Sequence, residues 1–233
     1  MAQRRKRPQA PQAAPQRARP RSTANALTLA CLGLGFLATL ASGRGDSKAA
    51  LGLLALAGLA DTLAGRVAHG WALESEMGAE LDSLASLMTW GVAASLLAYS
   101  AGLESLGLPG ILLAGFAAMA AAWRLCKGDV QQGREVHEGL PLPAAGALLT
   151  AAVAFNAPPL ILAGLILLAG LGQLLPIRYP RPAVSLVAAV SLLLSLGVAA
   201  FGLRAGWILP GLAGLIWGLG GPLFRSRKVV RAR

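Results

Sequence analysis

Charge is scarce in this sequence. Only 13% of its 233 residues are charged, where soluble domains carry about 25%. That shortage excludes an ordinary water-soluble domain. Acids are rarer still, with ten Asp or Glu against 21 Lys or Arg. Cysteine is nearly absent, and Cys31 and Cys126 both sit in apolar stretches. Two such residues build neither a disulfide framework nor a metal site, and read as small buried hydrophobes. Strict apolar/polar alternation is missing, which argues against a membrane barrel. No cleavage-type site followed by a soluble domain accompanies the first apolar run, so it does not read as a removable signal peptide.

Long apolar runs are abundant. The chain is 55% hydrophobic, and its runs approach the length needed to cross about 30 Å of hydrocarbon. The expectation is an all-α, polytopic membrane bundle of about eight spans. They fall near Leu27–Ser42, Ala49–Ala68, Leu84–Leu103, Pro109–Leu125, Leu142–Phe155, Pro158–Leu175, Ala183–Leu203 and Gly206–Phe224. The fifth is the shortest, and Asn156 with Pro158-Pro159 suggests a tight hairpin after it. Residues 1–22 read as a disordered basic tail, 23–224 as one transmembrane domain and 225–233 as a second basic tail.

The basic residues are distributed unevenly. Seven Lys or Arg and no acid occupy residues 1–21. Arg66, Lys127, Arg134, Arg178 and Arg181 fall in the even-numbered connections, against Arg44, Lys48 and Arg204 in the odd ones. By the positive-inside rule both termini are cytoplasmic. A net charge of +11 suits anionic lipid headgroups. Nucleic acid is not expected as a partner, because no recognition module accompanies the charge. Lys127 and Arg134 read as solvated loop charges, and Arg178 and Arg181 as part of a turn.

Two acids stand inside apolar surroundings. Asp61, Ala64, Gly65 and Ala68 share one helical face by their spacing, and so do Gly78, Asp82 and Ser86. A short polar connection lets the two faces confront each other. Ionisable groups at membrane depth are costly and mark functional interiors. Helix packing through small residues accounts for Gly65 and Ala68, but not for two acids on one gap.

This stretch resembles the signature of the CDP-alcohol phosphatidyltransferases, D-x2-D-G-x2-A-R-x8-G-x3-D-x3-D. Asp61, Gly65, Ala68, Gly78 and Asp82 match it. Ala64, His69 and Ser86 stand where the second Asp, the Arg and the fourth Asp belong. Further elements are similar to those of bacterial phosphatidylserine synthases: ANALT at Ala24–Thr28, ELDSLAS at Glu80–Ser86, WRLCKG at Trp123–Gly128, EGLPLPAAG at Glu138–Gly146 and IRYP at Ile177–Pro180.

The resemblance implies phospholipid biosynthesis. Family members exchange the CMP of CDP-diacylglycerol for an alcohol, here expected to be serine. Their acids hold Mg²⁺ or Mn²⁺, and the last acid serves as base. By that correspondence Asp61 and Asp82 are candidate metal ligands. Gly65, Ala68, Gly78 and Arg124 are candidate contacts to the CDP-lipid, although Arg124 is equally an interfacial anchor. Ser86 stands at the position of the base. Its hydroxyl is no base near neutral pH, and a lost general base removes roughly 10²–10⁴-fold of rate. Ala64 offers no ligand at all. Glu80 falls on the opposite helix face from Asp82, while Glu74, Glu76 and His69 lie in or beside the connecting turn. Three readings follow: an impaired homologue, an active transferase with an unusual site, and a small transporter. The transporter is disfavoured because no inverted repeat is visible. The membrane is expected to be the inner or plasma membrane of a bacterium, and a homodimer is left open.

Overall fold

A computed structural model describes residues 19–70, 76–130, 136–176, 178–180 and 186–224. Residues 1–18 and 225–233, on which most of the two expected tails fall, lie outside the described residues. The fold is helical. α1 (Arg19–Gly43) and α2 (Ser47–Gly70) form the first hairpin, closed by Gly45 at φ 74°. α3 (Glu76–Ser86) runs through a π-helical turn, Leu87–Ala93, into α4 (Ala94–Ala101). α5 (Leu108–Val130), α6 (Leu142–Ala154), α7 (Pro159–Leu174), α8 (Leu186–Ala200) and α9 (Ile208–Phe224) complete the bundle.

Asn156 makes the tight turn expected between α6 and α7. It adopts a left-handed φ of 54°, which asparagine tolerates better than most residues. Its amide bonds the Val153 carbonyl at 2.9 Å, and the Ala157 amide bonds Ala152 at 2.9 Å. Pro158 and Pro159 then start α7, where a missing amide hydrogen does no harm.

The expectation of about eight spans is corrected by helix length. Among the described residues, four stretches are long and apolar enough to cross a membrane: Thr23–Gly43, Ser47–Val67, Glu76–Ala101 and Leu108–Lys127. α6 and α7, at 13 and 16 residues, reach only about 20–24 Å at 1.5 Å per residue. Apolar composition suggested spans in the second half, but composition does not measure how far a helix runs before a proline or turn ends it. The chain remains an integral membrane protein by its apolar helices. Its large exposed side chains, such as Leu160, Leu168 and Phe201, suit contact with lipid.

The interior is built from small residues and a few large ones. Ala38, Ala50, Ala55, Ala93 and Ala98 are fully buried, letting backbones approach closely as membrane helices require. Leu54, Leu97, Leu103, Leu162, Ile166 and Trp207 fill the centre. α1 lies along α2 and crosses α3 and the π turn, while α5 pairs with α7 and α6 with α9.

One feature outside the helices joins two connections. Val136–Glu138 (β1) pairs antiparallel with Arg178–Pro180 (β2), with Val136 opposite Pro180 and Glu138 opposite Arg178. The connections after α5 and after α7 are therefore tied together. Lys127 reinforces the tie, which corrects its expected role as a solvated loop charge. It lies on α5, donates to the Leu174 carbonyl at the end of α7 at 2.9 Å, and sits 5.7 Å from the Trp123 ring centre. A cation at a helix C-terminus satisfies both the open carbonyl and the helix dipole.

Candidate functional site

α2 and α3 carry the two acids, and α1 closes the gap between them from the side. The Asp61 and Asp82 carboxylates are close enough to repel each other, and both charges reach Cys31 on α1. Asp61 is part-buried, whereas Asp82 is exposed. Among the described residues, a Cβ built on Gly65, one turn from Asp61, meets nothing within 4 Å. Tight helix packing is therefore not what keeps residue 65 small. Gly78 is half-buried on α3, four residues before Asp82. Ala68 belongs to α2, but its side chain lies outside the described residues, as do the side chains of His69 and Glu74.

The two signature acid positions that are substituted are shut in. Ala64 is 3% exposed and Ser86 7% exposed. Glu76 and Glu80 are exposed on α3. Among the described residues no three His, Cys, Asp or Glu side chains gather where they could hold a metal ion. A hard dication takes about six oxygen ligands and prefers several carboxylates when neighbouring phosphates add negative charge. Two mutually repelling carboxylates, with methyl and hydroxyl groups at the other two positions, do not fit a two-ion cluster.

Other residues near the gap were not foreseen. Trp90 donates its indole N–H to Asp61 Oδ2 at 3.4 Å. Thr89 is fully buried against α1. Its hydroxyl lies 3.5 Å from Cys31 Sγ and 3.4 Å from the Cys31 carbonyl. Gly35, one turn along α1, leaves room for it, since a Cβ there would come within 2.6 Å of Thr89 Oγ1. Cys31 is buried as expected but is also a hydrogen-bonding partner. Cys126 is exposed on α5, not buried. A pattern signal for Trp90 does exist: it continues the four-residue spacing of Gly78, Asp82 and Ser86.

Trp90 lines a small pocket of about 20 Å³, bordered also by Ser95, Gly146 and Gln173. That is room for about one water. The Gln173 Oε1 atom is buried with no hydrogen-bond partner among the described residues. Arg124 is half-buried on α5, near the end that carries Lys127.

This is a helical membrane protein with an acid-bearing gap between its second and third helices. Residues 21–210 match the sequence profile of the CDP-alcohol phosphatidyltransferases, and the chain belongs to that family. It is similar to the CDP-diacylglycerol–serine O-phosphatidyltransferase of Bacillus subtilis (strain 168), with 42% identity over 90 residues. That alignment covers 38% of this chain and 50% of the Bacillus protein. The enzymes of the same name from Mycobacterium bovis and Mycobacterium tuberculosis are each 35% identical over 104 residues, covering 42% of this chain and 36% of theirs. The chain thus aligns with half or less of the length of these relatives. Family and relatives together make it a membrane protein of the CDP-alcohol phosphatidyltransferase family that is similar to phosphatidylserine synthases over part of their length.

Proposed function

We propose that this chain keeps the lipid-nucleotide pocket of its family but is impaired in phosphatidyl transfer. One observation carries the reading. The gap retains Asp61 and Asp82, while buried Ala64 and Ser86 occupy the other two acid positions. Displacement of CMP by an alcohol needs the hydroxyl proton removed and the growing phosphate charge offset. Ser86 has no basicity for the first task near neutral pH, and the second lacks half of its anchoring carboxylates.

In this reading CDP-diacylglycerol enters from the membrane plane. Its headgroup contacts the backbone around Gly65, Ala68 and Gly78, with Arg124 serving a phosphate through its guanidinium. Open space beside Gly65 supports that approach. The protein lies in the bacterial inner or plasma membrane with both termini cytoplasmic, where basic segments meet anionic lipid. A homodimer is compatible with this arrangement.

A second reading is an active transferase from CDP-diacylglycerol to serine, with Mg²⁺ or Mn²⁺ on Asp61, Asp82 and ligands not yet identified. The 42% identity to the Bacillus enzyme favours it. Release of labelled CMP by purified protein, with each ion and a panel of alcohols, separates the two. The expected result is no release above a no-protein control. Release that Asp61→Ala abolishes would establish the second reading instead.

A further inference from the structure

We propose that Trp90 is the positioning residue of Asp61, its indole N–H holding the carboxylate in the gap as a neutral donor. The inference deepens the reading above and rests on the two acids not holding a two-ion cluster. It begins with the shape of the slot. The indole is 6% exposed and wedged between two glycines. A Cβ on Gly58 of α2 would come within 3.1 Å of its Cη2 and Cζ2 atoms, and a Cβ on Gly146 of α6 within 2.8 Å of Cβ and Cε3. Gly58 lies one turn before Asp61, so the same helix that carries the acid makes room for the ring. Larger residues at 58 or 146 would push the ring out and carry its N–H away from Asp61.

The backbone aims the ring as well. Successive members of the Gly78, Asp82, Ser86 stripe drift about 40° each around an α-helix. The wider turn of a π-helix, with its i→i+5 bonds, reverses that drift. The π turn begins at Leu87, directly after Ser86, and so brings Trp90 back toward the face of Asp82. Thr89, seated between Cys31 and Gly35 of α1, anchors that turn.

Chemistry completes the case. A carboxylate in a membrane span needs a donor or a counter-charge, because lipid supplies neither. The indole has one polar feature, a donor N–H, and cannot accept. At 3.4 Å the contact is long and acts to orient Asp61 rather than to bind it tightly. The ring also lines the small pocket beside Gln173, so it is held by neighbours other than Asp61.

The test uses the full chain in nanodiscs with ¹⁵N-labelled tryptophan. Its five tryptophans yield five indole N–H resonances, and Trp90→Phe identifies one by deleting it. Asp61→Leu is expected to shift that resonance and leave the rest in place. Asp61→Asn, which keeps an acceptor oxygen, is expected to restore it near its original position. Should Asp61→Leu not fold, the Asp61 carboxyl ¹³C resonance is followed in Trp90→Phe, which keeps an aromatic ring at the position and removes the donor. A shift supports the proposal. A Trp90 resonance indifferent to Asp61→Leu, or an Asp61 resonance indifferent to Trp90→Phe, overturns it. Mn²⁺ addition separates the underlying reading: chelator-reversible loss of the Trp90 signal at micromolar Mn²⁺ would show an ion held at the gap and overturn the neutral-donor role, whatever the Asp61 variants show. A persistent signal is the expected result.

Discussion

Gly65 and Gly206 are both glycines in apolar surroundings, and their neighbourhoods are opposites. Around Gly206 the chain is packed to the limit. A Cβ there would collide with the Ala199 backbone and come within 2.6 Å of the Ser195 carbonyl. Ser195 in turn donates to the Gly206 carbonyl at 2.7 Å, and Trp207 is buried beside it. At Gly65 no described residue comes within 4 Å of a built Cβ, although Ala64 next to it is closed off. Glycine at the first place lets backbones touch. At the second it leaves backbone uncovered beside two acids. Gly33, Gly115, Gly164 and Gly197 are open in the same way, and what sets Gly65 apart is its place one turn from Asp61.

The sharpest way to break this contrast is to place a charge at its boundary. Ala64→Asp puts a carboxylate at a position 3% exposed. An uncompensated buried charge costs about 3–5 kcal/mol, so the single variant is expected to melt well below the parent protein. With Ser86→Asp added, four carboxylates converge and the attraction for a dication is strong where water is scarce. Mn²⁺ is then expected to raise the melting temperature of the double variant while leaving the parent and both single variants unmoved. Equal Mn²⁺ responses in parent and double variant would show that the original pair already binds the ion.

Next in size is Gly206→Ala. Overpacking against backbone, which cannot rotate aside, costs about 1–3 kcal/mol. A clear fall in thermal stability in detergent is expected, with no dependence on added CDP-diacylglycerol. A neutral outcome would mean that the turn before α9 gives way easily and that its tight packing contributes little.

Much of this contrast was open to reading from the sequence. The small-residue spacing put Asp61 and Gly65 on one face and Gly78 and Asp82 on another, and the helices α2 and α3 that carry them form as expected. Asn156 with the proline pair announced its turn, because each of those residues has a local backbone reason to be there. What periodicity could not convey was length and register. The π turn at Leu87–Ala93 changes the helical repeat, and nothing in the residue types LMTWGVA announces it. Trp90 was accordingly missed, although it stands four residues past Ser86. The span count failed for a related reason, since hydropathy reports where a chain is apolar and not where its helix stops. Lys127 and Cys126 were misjudged because a solvated charge and a buried thiol are defined by neighbours far away in sequence. Leu174, 47 residues from Lys127, is one of them.

The smallest expected effect on stability comes from Gly65→Ala, and it is the most telling for function. No described residue lies within 4 Å of the new methyl group, so no clash is expected. Alanine is favoured over glycine in a helix interior by about 1 kcal/mol, so the melting temperature should hold or rise slightly. If the gap receives a CDP-lipid headgroup against the exposed backbone of α2, that methyl group sits in the ligand's path. Thermal stabilisation by CDP-diacylglycerol, read against the same lipid lacking the CDP headgroup, should then fall in Gly65→Ala although the protein itself is no weaker. A variant that is more stable but less responsive to ligand separates recognition from packing at this residue. Equal stabilisation of parent and variant would remove Gly65 from the binding surface and turn attention to Gly78 and Arg124.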